Sequence, residues 1–373
     1  TGRRNAVNHI GIGILGASGD IGQHIAEALL RTPVDPERAT EFRLAARRPE
    51  AIQAPAGASK AASRARITTC ACDVRDQDSL ARLADGLDVV VDATGPSHDR
   101  ALTTASTVLA AGASYVDVGG PADVRALQEA SAVEQVALFH AGALPGASGI
   151  LPRWLLGRNP RARTLTVFIG GRGVFTRTGA EDYLAGLKYG DVEPLAAWRD
   201  GRRVSQGAQR QENVIIDGFP DPVSLFPYLD SDAEAIARES GLKDGTWYSA
   251  MVGQGIMDLL MLAIGMGLET GSSWLHDASV AKAAGRRPYV VLIAETETEK
   301  IMLRAPSEGV LSAEVAAAAT REVLSGRVPA GRGCAAAVLD PDRVLTTLMA
   351  PETACTFVTT QDVTTDVMEE GAL

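Results

Sequence analysis

The chain is poor in the residues that mark several whole classes of protein. It has four cysteines, Cys70, Cys72, Cys334 and Cys355. Their spacing matches no metal-ligand pattern, so no metal site is expected, and reduced thiols of a cytoplasmic protein are the simplest account. Positive charge is in deficit: 36 Lys and Arg face 46 Asp and Glu, for a net charge of −10. That balance argues against nucleic acid or an anionic membrane surface as a general partner. A clean membrane-length apolar run is also missing. Residues 249–268 come nearest, but Gln254, Asp258 and several glycines interrupt them and no basic cluster flanks them. They read as a buried or subunit-interface helix rather than a membrane span. The first nine residues are polar and hold no secretory core, so the expected location is the cytoplasm.

What is present is a chain of 373 residues, 46% hydrophobic and 22% charged, which suits two soluble globular domains. Residues 10–15 read as a buried strand that runs into Gly16-Ala17-Ser18-Gly19-Asp20-Ile21-Gly22 and then an amphipathic helix carrying Ile21, Ile25 and Leu29. Gly13, Gly16, Gly19 and Gly22 let the backbone turn sharply, approach a pyrophosphate and pack the helix close to the strand. The pattern is a dinucleotide-binding turn with a helix N-terminus facing the anion.

The second strand, residues 42–48, selects the dinucleotide. Where an NAD site offers a carboxylate to the ribose hydroxyls, this chain offers Ala46, Arg47 and Arg48. A guanidinium holds a 2′-phosphate that a carboxylate would repel, so NADP(H) is the expected cofactor, with Arg47 ahead of Arg48. Asp73 and Val74 follow the third strand, 67–72. Asp73 is placed either to accept from the adenine amino group or to cap the helix that starts near Gln77.

Short apolar runs alternate with helical patterns as far as residue 156, the signature of a parallel sheet wrapped by helices. The fourth, fifth and sixth strands fall at 87–93, 114–118 and 136–140. Ligands bind beyond the carboxyl ends of such strands, which brings Ala93, Thr94, Gly95 and Pro96 beside the ribose and nicotinamide. The small-residue loop 141–149 reads as a close approach to a ligand or as a plain turn. The second half changes character: a strand at 164–170, a helix at 180–187, mixed strand segments over 204–216, a long alternating span at 289–303 and an alanine-rich helix at 313–324. The expected architecture is α/β, with a Rossmann-type domain at 1–156 and an α+β substrate and dimerisation domain at 157–330 built on an antiparallel sheet with one solvated face. For 331–373 a return to the first domain is left open, and the tail with Asp366, Glu369 and Glu370 is expected to be loose.

Hydride chemistry on a nicotinamide asks the protein to orient a substrate and handle one proton. His98, just after the fourth strand, leads the candidates for that proton, followed by His140 at the end of the sixth, Asp117 on the fifth and Tyr183 on the 180–187 helix. Each has an ordinary alternative as a cap, a loop bond or a satisfied core group. Arg172, Arg177 and Lys188 cluster in the second domain and are candidates to grip substrate carboxylates, or else solvated loop cations. Trp247 and Tyr248 are candidates for a pocket wall or for core.

Together the glycine loop, Leu44-Ala45-Ala46-Arg47, Asp92-Ala93-Thr94-Gly95-Pro96 and Ala141-Gly142-Ala143-Leu144-Pro145-Gly146 resemble the saccharopine dehydrogenase (reductase) family, best over residues 10–156. The resemblance implies an NADP(H)-dependent, dimeric enzyme that reduces an imine (C=N) or C=O bond of an amino-acid-derived small molecule. The family also contains enoyl reductases of lipid or carrier-bound intermediates, and a tunnel lined by residues 249–268 would suit that alternative. A third reading is an NADP(H)-binding sensor without turnover.

Overall fold

The computed structural model describes residues 9–35, 37–56, 64–121, 123–127, 134–190, 192–253 and 256–361. Gln254 and the tail residues Asp366, Glu369 and Glu370 lie outside the described residues.

The first sheet is built from β1 (His9–Leu15), β2 (Ala39–Ala46), β3 (Ala65–Ala71), β4 (Val89–Asp92), β5 (Ser114–Asp117) and β6 (Val136–Phe139). These short apolar runs have helices on both faces, so nearly every side chain of β1 and β4 is buried. The order is β3-β2-β1-β4-β5-β6, extended by a seventh strand from near the C-terminus, and all neighbours are parallel. The strand order reverses between β1 and β4, where a doubly wound sheet opens its ligand crevice. Gly13 lies inside β1, where an added Cβ would stand 2.8 Å from Leu87 Cδ1. Its role is strand packing, which corrects its assignment to the phosphate loop.

The second sheet contains β7 (Thr164–Arg172), β8 (Glu193–Pro194), β9 (Ala197–Arg199), β10 (Arg202–Val204), β11 (Gln211–Val214), β12 (Val223–Leu229), β13 (Asp244–Val252), β14 (Tyr289–Glu295) and β15 (Glu299–Ala305). It is mixed rather than antiparallel, because β7 and β13 run parallel at its centre. Leu165, Val167 and Ile169 of β7 join the main core, while Phe168 faces a separate cluster with Phe219 and Ile293. The long alternating span 289–303 is the antiparallel hairpin of β14 and β15. Its turn is closed by Thr296 N donating to Glu299 O at 2.9 Å, and Glu297 Oε1 ties that turn to the amides of Arg163 and Thr164.

Residues 249–268 do not form one helix. They divide into the end of β13 and the helix Ile256–Gly265, with Gly253 at φ 120 between them. That helix packs with Arg177–Tyr189 and Leu268–Ala283 in one layer and leaves Met261 and Leu262 exposed. Among the described residues no helix is long and apolar enough to cross a membrane, and no cluster of metal-ligating side chains occurs.

The two sheets do not divide the chain at single points. The helix Glu308–Leu324, placed with the second domain by the sequence, lies along the first-domain helix Asp20–Arg31. Its alanines permit that close approach, and Glu314 pairs with Arg31 at 2.9 Å. β16 (Gly331–Cys334) then pairs with β6 in the first sheet, and β17 (Thr356–Gln361) pairs with β15 at the edge of the second. The helix Ala147–Arg158 joins the two bodies, buried along most of its length.

Candidate functional site

The glycine loop is shaped by steric necessity. Gly16 takes φ 74, its carbonyl accepts from Gly19 N at 2.8 Å, and an added Cβ on Gly22 would stand 2.3 Å from that carbonyl oxygen. Only glycine lets the helix Asp20–Arg31 start so close to β1. Ala17 is buried and bonds through its amide to Ala45 O at 3.0 Å, whereas Ser18, Gly19 and Asp20 are exposed at the mouth of the crevice, with Ile21 half-buried beside them. The first-turn amides of the helix have no intrahelical acceptor and point out of the loop. This cradle fits a pyrophosphate, and it is where a dinucleotide would be held.

At the adenine end, Arg47 and Arg48 leave β2 exposed, next to Asp73 just after β3. Asp73 is not the cap of the helix Gln77–Ala84; Asp76 caps it, accepting from the amides of Asp78 and Ser79. Asp73 instead binds Arg75, with Nη2 to Oδ2 at 2.7 Å and Nε to Oδ1 at 3.0 Å. The Arg75 side chain, and then its amide, hold the Asp73 carboxyl down at about 2. Val74 is half-buried against the adjoining core.

Beyond β4 the backbone turns at Ala93, whose carbonyl abuts Gly16, and Asp92 Oδ1 accepts both the amide and the hydroxyl of Thr94 at 2.8 and 2.6 Å. Asp92 and Asp117 are register partners on β4 and β5, and the Tyr115 phenol oxygen lies between them, 2.8 Å from Asp92 Oδ2 and 3.0 Å from Asp117 Oδ2. One phenolic proton cannot serve two carboxylates, so the buried trio holds a second proton. Burial raises both carboxyls; Asp117 is raised well above the carboxylate range because the Asp92 charge adds to burial, while the two bonds from Thr94 oppose the rise of Asp92, so Asp117 is the side that favours the proton. Asp117 is therefore a buried structural acid that also accepts Gly119 N at 2.9 Å, not a group facing substrate.

The loop Thr94 to His98 meets the second body. An added Cβ on Gly95 would stand 2.9 Å from Thr178 Cβ, and half-buried Pro96 leads to Ser97, whose amide donates to Asp182 Oδ1 at 2.9 Å. His98 donates its amide to the same oxygen at 3.1 Å, with its ring Nδ1 at 2.9 Å. Asp182 and Thr178 are four apart on the helix Arg177–Tyr189 and so share the face that closes on the first domain. That four-residue spacing is the one signal in the sequence that could have singled out Asp182.

The remaining candidates divide. His140 is turned away: at φ 60 its Nε2 lies 3.1 Å from Pro121 O and its ring packs against Gly120, which makes it a clamp on the loop after β5. Tyr183 follows Asp182 in sequence but packs into the helical layer, its ring 5.5 Å from that of Phe175 and its phenol pushed up to about 12 mainly by burial, so it is a core tyrosine rather than a group facing substrate. Arg172 is not free for a carboxylate; it pairs with Asp221 and lies over the Tyr289 ring at 5.5 Å. Lys188 bonds Met266 O at 3.1 Å, about three helical turns from Arg177. Arg177 stands exposed at the cleft end of that helix. Trp247 is core, and Tyr248 stacks on Phe168 at 5.3 Å. The 141–149 loop closes on itself and on Ser312, whose hydroxyl accepts Ala143 N at 3.1 Å, so it is a packed turn.

Comparison with known proteins agrees with this geometry. Residues 12–140 match the family model of the saccharopine dehydrogenase NADP binding domain. The fold is similar to that of apo saccharopine dehydrogenase (L-Glu forming) from Saccharomyces cerevisiae, with a TM-score of 0.63 at 13% identity, over 94% of this chain and 100% of that one. The WlbA dehydrogenase from Bordetella pertussis, solved with NADH and UDP-GlcNAcA, aligns at 14% identity over 81% of this chain and 75% of that one, with a TM-score of 0.39. No curated protein matches the chain in sequence.

Proposed function

We propose that the chain is a saccharopine dehydrogenase-like, NADP-dependent oxidoreductase that reduces a C=N or C=O bond of an amino-acid-derived small molecule, a reading supported by the match of residues 12–140 to the saccharopine dehydrogenase NADP binding domain. The observation that carries this reading is the His98–Asp182 contact of 2.9 Å at the carboxyl end of β4, where the two bodies meet over the cofactor crevice. Bound NADPH would supply the hydride to the electrophilic carbon. The protein must then deliver one proton to the nitrogen or oxygen of the reduced bond. Asp182 fixes Nδ1 of His98 and leaves Nε2 as the atom that gives up the proton. Arg177, exposed at the same helix end, is the cation available to a substrate carboxylate.

The enoyl alternative loses its main support, because residues 249–268 divide into strand and surface helix instead of lining a tunnel. A cytoplasmic homodimer remains part of the proposal; the exposed Met261, Leu262 and Val280 of the helical layer are apolar surface that a second copy would cover. The test is NADPH oxidation with amines paired with 2-oxo acids, cyclic imines and enoyl thioesters. Turnover with an imine-forming pair supports the reading; turnover with enoyl thioesters alone overturns it.

A further inference from the structure

We infer that Arg75 sets the preference for NADP(H) over NAD(H) indirectly, by occupying the Asp73 carboxylate so that Arg47 and Arg48 are left for the 2′-phosphate. The inference rests on NADP(H) binding by this domain and is independent of the substrate proposed above.

Ala46 and Ala71 are register partners, so β2 and β3 release their chains side by side. Cys72 N donates to Ala46 O at 3.0 Å and keeps them together for one more residue. Arg47-Arg48 and Asp73 therefore emerge at one corner, close enough that Arg47 adds to the lowering of Asp73. An anionic Asp73 at this corner works against a bound 2′-phosphate in two ways. It repels the phosphate directly, and it competes for the Arg47 guanidinium.

Arg75 removes both effects. Its Nε lies 3.0 and 3.2 Å from the two Asp73 oxygens, its Nη2 is 2.7 Å from Oδ2, and its amide reaches Oδ1 at 3.0 Å. Both carboxylate oxygens are thus covered by one guanidinium two residues away, a fork geometry specific to arginine. Arg47 and Arg48 make no ion pair among the described residues. A corner with one carboxylate and three arginines, the carboxylate matched to the third, presents two free guanidinium groups to an anion. Arg75 is in this sense a specificity-determining residue that acts through Asp73.

The test titrates the full chain with NADPH and with NADH and reads the ratio of the two dissociation constants. Arg75→Ala should cut the preference for NADPH by about tenfold, because it bares Asp73. In the Asp73→Ala/Arg75→Ala double variant the preference should return to within about threefold of the wild type. Asp73→Ala alone should leave the ratio unchanged or raise it. A preference lost in Arg75→Ala and still lost in the double variant would mean that Arg75 touches the phosphate itself, which overturns the proposal, as would an unchanged ratio in Arg75→Ala. Arg47→Ala is the control: if it lowers binding of both cofactors equally, the 2′-phosphate lies elsewhere and the corner itself is misassigned. Circular dichroism of each variant separates these outcomes from loss of fold.

Discussion

The Asp182 carboxylate accepts the ring Nδ1 of His98 at 2.9 Å while the same oxygen takes the amides of Ser97 and His98 at 2.9 and 3.1 Å. Asp182 belongs to the helix Arg177–Tyr189, packed on the second sheet, and His98 to the loop after β4 in the first. One carboxylate thus joins the bodies and orients the histidine. Ser97 N also lies 3.0 Å from Oδ2, where an asparagine would set its NH2 group against that donor.

His98→Gln should lower kcat by at least about tenfold with NADPH affinity nearly unchanged, as expected for a group that serves the proton and not the cofactor. Asp182→Asn should lower kcat as well and should also raise KM, since it loosens the contact between the bodies. Steady-state kinetics beside a cofactor titration checks both. Unchanged turnover in His98→Gln would assign the proton to another group.

Arg172 and Arg177 should separate by type of effect. Arg172→Ala breaks a largely buried pair with Asp221 and should cost about 2 kcal/mol of stability in denaturant unfolding, with KM unchanged. Arg177→Ala should leave the unfolding midpoint in place and raise KM for a carboxylate substrate by about tenfold. A KM effect of Arg172→Ala without any loss of stability would contradict the ion pair.

Asp117→Asn should become relatively more stable as pH rises. Asp117 is raised well above its ordinary range, mainly by burial, so the folded chain keeps a proton that the unfolded chain releases. The contribution of that proton to stability is full below the unfolded value and is lost as pH rises through the folded one. Asparagine reproduces the neutral acid: its amide donates to Tyr115 and its oxygen accepts from Gly119. Melting temperatures measured from pH 5 to about pH 8 should show the variant gaining on the wild type; a difference independent of pH would mean that Asp117 is ionised in the fold.

Gly22→Ala should destabilise the chain by about 1–3 kcal/mol and weaken NADPH and NADH alike, because the added carbon meets backbone at 2.3 Å and the helix must move off the loop. Thermal unfolding and titration with both cofactors measure this, and a variant that binds both normally would show that the loop tolerates a wider approach.

The sequence alone determined the parts whose causes are local. Six alternating strands, the turn from Gly16 to Gly22 and the arginines after β2 could be read directly, because strand burial, glycine backbone freedom and the absence of a carboxylate at Ala46 each act within a few residues. Tertiary structure decided what depends on partners far away in the chain. It tied Arg172 to Asp221, turned His140 onto Pro121, withdrew Gly13 into packing and laid the helix Glu308–Leu324 along the first domain. It also brought Asp182 to His98, 84 residues apart in sequence. A side chain carries its charge and its hydrogen-bonding capacity in the sequence, but whether that capacity is spent on the protein or left for a ligand is settled only when the fold brings its partners within reach.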